Sequence, residues 1–323
     1  MSIAEREKGL IWKNGELVPW AEATVHILST AVQFGSSVFE GIRSYDTERG
    51  PAVFRLPEHI HRLINSCRIY RMDPGYSEAE LFRACLEVIS RNSLGAAYIR
   101  PMVLRGYGEN LAIDAIGNPI ETYIPVWPWG AYLGDDALER GVDVCVSSWQ
   151  RPAGNTFPGM AKSAGHYNNA QLIKLEAITN GYVEAIALNP SGLISEGSGQ
   201  NLFAVIDGVL VTAPIGGSNL SGITRNAVIT IAEDLDTGVG RILAAIEELE
   251  LTDNTYVIYM SDNGSGGGGR SSLLGGGKGS LREGGIRVPL IIQVRQENFK
   301  NQKLGLYKLS ECLVSIGCLN QIR

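Results

Sequence analysis

The stretch Asn155-Thr156-Phe157-Pro158-Gly159-Met160-Ala161-Lys162-Ser163-Ala164-Gly165-His166-Tyr167-Asn168-Asn169 sets one lysine in a loop of small residues, just before a helical run. A lone lysine in such a loop is ordinarily a solvated surface charge. Two later segments alter that reading. Gly192-Leu193-Ile194-Ser195-Glu196-Gly197-Ser198-Gly199-Gln200-Asn201-Leu202-Phe203 holds a single carboxylate in an apolar, glycine-rich turn. Gly222-Ile223-Thr224-Arg225 directly precedes a helix, where free N–H groups and the helix dipole favour a phosphate.

Lysine, sequestered acid and phosphate-ready helix start are what carbon–nitrogen chemistry on an amino acid asks of a protein that uses pyridoxal phosphate as its electron sink. The lysine carries the cofactor and later moves a proton. It can act as a base because a partly desolvated amine gives up its charge.

Working outward, Leu10 to Val18 reads as two short strands around the hairpin turn Asn14-Gly15. Ser37 to Leu56 repeats the pattern around the polar turn Asp46 to Gly50. Pro57 can open a helix, and Ile60, Leu63, Ile64 and Cys67 follow with helical spacing. Ser77 to Ser93 is a second amphipathic helix whose start, Ser77-Glu78-Ala79-Glu80, fits a capping box. Ala97 to Gly106, Thr122 to Val126 and Val142 to Trp149 read as strands, and Asn168 to Asn180 as a helix. Strands and turns alternate from Val183 to Val211, with Asp207-Gly208 at one turn. One helix is predicted over Thr224 to Leu235 and another through Val239, Ile242, Leu243, Ile246 and Leu249. Thr255 to Met260 and Val288 to Val294 are strands flanking a glycine-dense segment.

The chain has 323 residues, enough for two domains of ordinary size, and 44% are hydrophobic, enough to bury a sizeable core. A net charge of −6 argues against a nucleic-acid surface, which needs a basic stripe to offset phosphate. The five cysteines, Cys67, Cys85, Cys145, Cys312 and Cys318, include no C-x-x-C. Buried thiols in a reducing compartment are the expectation. The N-terminal MSIAEREKGL lacks the apolar region of a secretory signal, and no apolar run approaches a membrane span. A cytoplasmic protein without membrane or nucleic-acid partners is expected.

From about Gly9 to Leu235 the chain resembles the class IV, fold-type IV aminotransferases, and among them the branched-chain amino-acid aminotransferases. The resemblance is carried by Gly35-Ser36-Ser37-Val38-Phe39-Glu40-Gly41-Ile42-Arg43, Ala97-Tyr98-Ile99-Arg100-Pro101, Trp129-Gly130-Ala131-Tyr132-Leu133-Gly134 and the three segments above. It implies pyridoxal 5'-phosphate as cofactor, with Lys162 as the Schiff-base and proton-transfer lysine. Glu196 resembles the partner of the pyridine nitrogen, and Tyr167 the tyrosine at the phenolic oxygen. Arg62 resembles the phosphate arginine, while Ile223 and Thr224 resemble the backbone phosphate site. Phe34, Phe39, Tyr98 and Tyr132 look like walls of an apolar substrate pocket. Arg43 and Arg100 look like the arginines that accommodate carboxylates. Singly, each has a plainer reading: Arg62 as a solvated helix residue, the aromatics as core, Glu196 as a turn carboxylate. The aligned set favours the functional one.

From about Asp236 to Gln293 the chain is similar to a different family, the type I sulfatases. The match runs through Asn254-Thr255-Tyr256-Val257-Ile258-Tyr259-Met260-Ser261-Asp262-Asn263-Gly264 and Gly277-Lys278-Gly279-Ser280-Leu281-Arg282-Glu283-Gly284-Gly285-Ile286-Arg287-Val288-Pro289. In that family the Asp-Asn pair matching Asp262 and Asn263 holds a divalent cation, and the lysine matching Lys278 contacts sulfate. The plainer reading is a turn followed by a flexible glycine loop. The chain has no Cys-x-Pro-x-Arg, so the sulfatase nucleophile is missing and no complete metal site is expected. Nor is there a P-loop, because Lys278 is followed by Gly279.

The resemblances imply an α+β, two-domain fold-type IV aminotransferase whose second domain is truncated and joined to a sulfatase-like α/β fragment. The expected division is a small domain over 1–130, a partial cofactor-binding domain over 131–235, the fragment over 236–293 and an unassigned tail over 294–323. The family's Ser-Gly-Thr-type turn after the Thr224 helix has no counterpart here. The implied function is transamination of leucine, isoleucine and valine with 2-oxoglutarate in a homodimer or larger homo-oligomer. The alternative is an incomplete chimera that binds the cofactor or a metal ion without turnover.

Overall fold

The computed structural model describes residues 8–128, 141–206, 209–216, 218–250, 257–260 and 290–293. The expected features at Trp129–Gly134, Asp207-Gly208, Asp262-Asn263, Lys278 and the tail lie outside the described residues.

The Asn14-Gly15 turn forms as read. Strands β1 (Leu10–Lys13) and β2 (Glu16–Pro19) pair with Lys13 opposite Glu16. Asn14 and Gly15 both have positive φ, 48° and 99°, as a two-residue hairpin with the strands' twist requires. Next come α1 (Thr30–Phe34), β3 (Ser37–Phe39), β4 (Ile42–Tyr45), β5 (Ala52–Val53), α2 (Leu56–Ile69) and α3 (Glu78–Arg91). The capping box of α3 is present: Ser77 accepts from the Glu80 N–H, and the Glu80 carboxylate accepts from the Ser77 N–H.

The segment expected as one strand from Ala97 to Gly106 is instead two, β6 (Ala97–Ile99) and β7 (Met102–Arg105). Pro101 lacks the N–H needed to continue the ladder, and the two strands enter different sheets. With β8 (Ile120–Ile124) and β9 (Val126–Trp127) the orders are β2-β1-β8-β7-β3 and β5-β4-β6-β9. The core between these strands and the helices takes Leu56, Ile60, Leu63, Ile64 and Cys67 from α2. From α3 it takes Leu81, Ala84, Cys85, Val88 and Ile89. These three- and four-residue steps are the apolar stripe of a helix lying on a sheet. Cys67 and Cys85 are buried free thiols, and burial pushes the Cys67 thiol up to about 12.

Further on, β10 (Val144–Val146) and β11 (Glu184–Leu188) are parallel, connected through α4 (Ala164–Thr179), and β12 (Ile194–Gly197) pairs antiparallel with β11. A parallel pair needs such a crossover. Ile173 and Ala177 of α4 pack on Ala185 and Ala187 of β11. The helix begins four residues earlier than the expected Asn168, directly after Ser163. Strands β13 (Phe203–Ile206) and β14 (Val209–Thr212) form a two-stranded ribbon.

The two helices expected on either side of Asp236 are one, α5 (Ile223–Glu248). Gly238 and Gly240 weaken a helix by roughly 1 kcal/mol each relative to alanine, which is less than a break would cost in backbone hydrogen bonds. Beyond it, β15 (Val257–Met260) and β16 (Leu290–Gln293) pair antiparallel, as the strand readings at both positions anticipate.

Contacts divide the chain into two compact units. The first comprises 1–134, 142–202 and 212–226, and the second comprises 135–141, 203–211 and 227–323. Within the first unit, β3 is bonded to the Lys162 loop. Among the described residues, no helix is long and apolar enough to cross a membrane.

Leu63 is fully buried and sits on α2 beside Arg62. Leu63→Ala should cost roughly 2–5 kcal/mol by transfer and cavity terms. A urea midpoint equal to that of the parent chain would show that α2 does not anchor this core.

Candidate active site

The backbone at Lys162 and Ser163 is held from two elements, β3 and α2. Its carbonyl accepts from the Phe39 N–H at 3.0 Å. Its N–H donates to Ser66 Oγ of α2 at 3.0 Å. Ser163 next to it forms an antiparallel bridge with Val38. The side chain is thereby directed: Nζ lies 2.6 Å from the Tyr167 hydroxyl and 5.1 Å from the ring centroids of both Phe39 and Tyr167. Tyr167 is one turn into α4, so the early helix start brings it over the lysine. Lys174, the lysine on this helix, is tied to Glu184 at 3.1 Å and to the Val183 carbonyl.

Glu196, on β12, is buried. One carboxylate oxygen pairs with Arg151 at 2.8 Å. The other accepts from the Leu220 N–H at 3.1 Å and the Asn201 amide at 3.4 Å. Burial pushes its carboxyl above the usual range; Arg151, the Leu220 N–H and the Lys162 charge oppose this without cancelling it. Arg151 was not singled out in the sequence. Its only cue was a basic residue close ahead of the Lys162 loop.

Arg62 is not a solvated helix residue. It makes a two-pronged pair with Glu40, Nε to one oxygen and Nη2 to the other, each at 2.7 Å, and Nη1 donates to the Ser221 carbonyl at 2.9 Å. Ser221 and Leu220 belong to the turn that leads into α5, so Arg62 and Glu196 converge on it. Ile223 and Thr224 open that helix, where the first N–H groups have no intrahelical acceptor. Gly222 ahead of them is closely approached: a Cβ there would collide with the Asn201 side chain.

Phe39 links this group to the expected substrate residues. The Arg100 guanidinium lies 4.8 Å from its ring, 5.1 Å from that of Tyr98 and 5.8 Å from that of Trp127. Arg100 also donates to the Tyr98 hydroxyl at 3.0 Å. Arg43 lies opposite Tyr98 in the β4–β6 ladder. Gly41 is required beside them, because a Cβ would strike the Tyr98 hydroxyl. Phe34, at the end of α1, is 48% exposed. Tyr132 lies outside the described residues.

The donor set suits pyridoxal phosphate: an amine with a hydroxyl partner, a buried carboxylate, and a guanidinium beside a helix start. Ser163 Oγ, buried next to Lys162 and lacking a hydrogen-bond partner among the described residues, leaves a polar atom for a bound group to satisfy. No cluster of potential metal ligands occurs among the described residues.

The family model for amino-transferase class IV matches residues 37–253, and the chain belongs to that family. Branched-chain-amino-acid aminotransferase of Escherichia coli strain K12 is 47% identical over 255 residues, covering 79% of this chain and 82% of that protein. The crystal structure of the Escherichia coli branched-chain amino acid aminotransferase superposes with a TM-score of 0.69 at 49% identity, covering 71% and 75% of the two chains. The T.th. branched-chain amino acid aminotransferase complexed with N-(5'-phosphopyridoxyl)-L-glutamate gives 0.66 at 44% identity, covering 71% and 74%. A sulfatase family model matches residues 212–314. The two family matches therefore share residues 212–253, and the aminotransferase match extends past Leu235.

His166 is buried against the edge of Phe157. Burial, with the Arg151 charge, holds its pKa down to about 4. Between pH 6.5 and about 4 the unfolded chain takes up a proton there that the folded chain refuses, so stability falls as pH falls. Melting curves of the cofactor-free protein across that window should slope downward toward acid, and His166→Asn should flatten the slope. An unchanged slope would remove His166 from the acid response.

Proposed function

We propose that this chain transaminates leucine, isoleucine and valine with 2-oxoglutarate, using pyridoxal 5'-phosphate held by Lys162. The observation that carries the reading is the Lys162 amine, 2.6 Å from the Tyr167 hydroxyl and enclosed by the Phe39 and Tyr167 rings. The 47% identity to a branched-chain enzyme supports the substrate class. The phosphopyridoxyl complex of a similar protein supports the cofactor.

When bound, the cofactor supplies an electron sink for the bonds at the substrate's α-carbon. The chain's own residues do the rest. Lys162 Nζ accepts and returns the α-proton, steered by the Tyr167 hydroxyl. Glu196 would supply the carboxylate for the cofactor's pyridine nitrogen, and Arg151 helps keep that carboxylate ionised. Arg62, with the first N–H groups of α5 at Ile223 and Thr224, would hold the phosphate. Phe39 and Tyr98 exclude water from a branched side chain, and Arg43 and Arg100 receive carboxylates, including the γ-carboxylate of glutamate. A cytoplasmic homodimer or larger homo-oligomer acting in amino-acid biosynthesis completes the reading.

We further propose the division 1–130, 131–235, 236–293 and 294–323, with a shortened second domain joined to a sulfatase-like segment. The sulfatase match and the β15–β16 pair support the third part. The alternative of a chain without turnover is not favoured by its likeness to named aminotransferases.

Borohydride treatment in the presence of cofactor should fix a pyridoxyl group on the peptide containing Lys162. A label on Lys174 or Lys278 would sink the assignment. Lys162→Ala should abolish amino transfer from leucine to 2-oxoglutarate.

Glu196→Gln keeps the shape and removes the charge. It should retain cofactor binding and lose most turnover, because an unprotonated ring is a poorer electron sink. Parental turnover in this variant would return Glu196 to a turn residue.

A further inference from the structure

Glu40 is a fully buried carboxylate with no place in the chemistry above. Both its oxygens are held by the Arg62 guanidinium at 2.7 Å, and one also meets His59 Nδ1 at 2.7 Å. Its own N–H donates to the Pro101 carbonyl at 2.8 Å, so its backbone is fixed as well. Burying an ion pair seldom adds stability, because desolvation consumes the Coulombic gain. The pair is better understood through what it does to Arg62.

Two parallel bonds fix a guanidinium plane in a way a single contact cannot. With Nη1 also held by the Ser221 carbonyl, three of the five N–H donors are committed. The remaining two belong to a group whose orientation at the start of α5 is set. An arginine so fixed loses little side-chain freedom when it binds an anion.

We propose that Glu40, backed by His59, is a positioning residue that orients Arg62 for the cofactor phosphate and so sets phosphate-dependent affinity. The inference rests on the reading of Arg62 as the phosphate arginine. The charged groups facing Glu40 are Arg62 and Lys162, and the titratable group is His59. Burial works against its ionisation, but the hydrogen bonds from Arg62 and His59 outweigh burial and hold its carboxyl below the usual range. Arg62 therefore faces a carboxylate at neutral pH.

The test compares equilibrium binding of pyridoxal 5'-phosphate and of pyridoxal, which lacks the phosphate, to the cofactor-free chain. The proteins are the parent, Glu40→Gln, Arg62→Ala and the double variant. Glu40→Gln should weaken pyridoxal 5'-phosphate binding about tenfold, the scale of one charge-assisted hydrogen bond, and leave pyridoxal within about twofold. The double variant should match Arg62→Ala. Equal weakening of both ligands in Glu40→Gln means a structural role and overturns the proposal, as does a further loss in the double variant. An unchanged ratio of the two affinities in Arg62→Ala overturns the phosphate reading, and the inference with it. A lowered ratio there with an unchanged ratio in Glu40→Gln overturns the inference alone. Should Glu40→Gln not fold, Glu40→Asp keeps the charge but shortens its reach, and the same selective loss is expected.

Discussion

The Phe39 N–H donates to the Lys162 carbonyl, and with the Val38–Ser163 bridge this bond fastens the lysine loop to the free edge of a sheet. Strand β3 is the last strand of its five, so its outer backbone groups need partners. The loop supplies them and is positioned in return. From this bond the Lys162 side chain is set against Phe39, α4 starts at Ala164, and Tyr167 arrives one turn later. Ser66 of α2 holds the same loop from another side, one turn beyond Arg62. The helix that carries the guanidinium is thus coupled to the loop that carries the amine.

Two buried carboxylates in the same unit have been driven in opposite directions. Glu40 has a two-pronged guanidinium and an imidazole, and these donors overcome its burial. Glu196 has one guanidinium contact, one backbone N–H and a long amide bond, and burial prevails. The difference is the number of donors each charge receives, not how deeply each is buried. A carboxyl left slightly short of donors is suited to take one more from a bound group, whereas a saturated one is suited to hold a neighbour still.

Local signals made much of the first unit legible. The Asn14-Gly15 turn, the capping box at Ser77 and the apolar spacing on α2 and α3 are each decided within a few residues, so the sequence carries them directly. Pro101, which splits β6 from β7, was visible, but its consequence was not, because sheet membership depends on distant partners. Lys162 and Glu196 stood out from their own segments, whereas the parts of Tyr167 and Arg62 were readable only as a resemblance. Arg151 and Glu40 escaped as functional candidates because their meaning lies in pairs 45 and 22 residues apart along the chain. The early start of α4 escaped because Ser-Ala-Gly after the lysine is weakly helical alone and is fixed by the sheet edge beside it.

Helix α5 lies across the region that both family matches share. A turn or loop forgives a change in length, but a helix converts it into rotation. Each residue gained or lost swings everything downstream by about 100° and moves it roughly 1.5 Å along the axis. Ile231, Leu235 and Ile242 are spaced by four and then seven residues, which keeps them on one side of the cylinder. The apolar stripe therefore crosses residue 235 without slipping in phase, and one extra residue there would carry Ile242 out of line with Leu235.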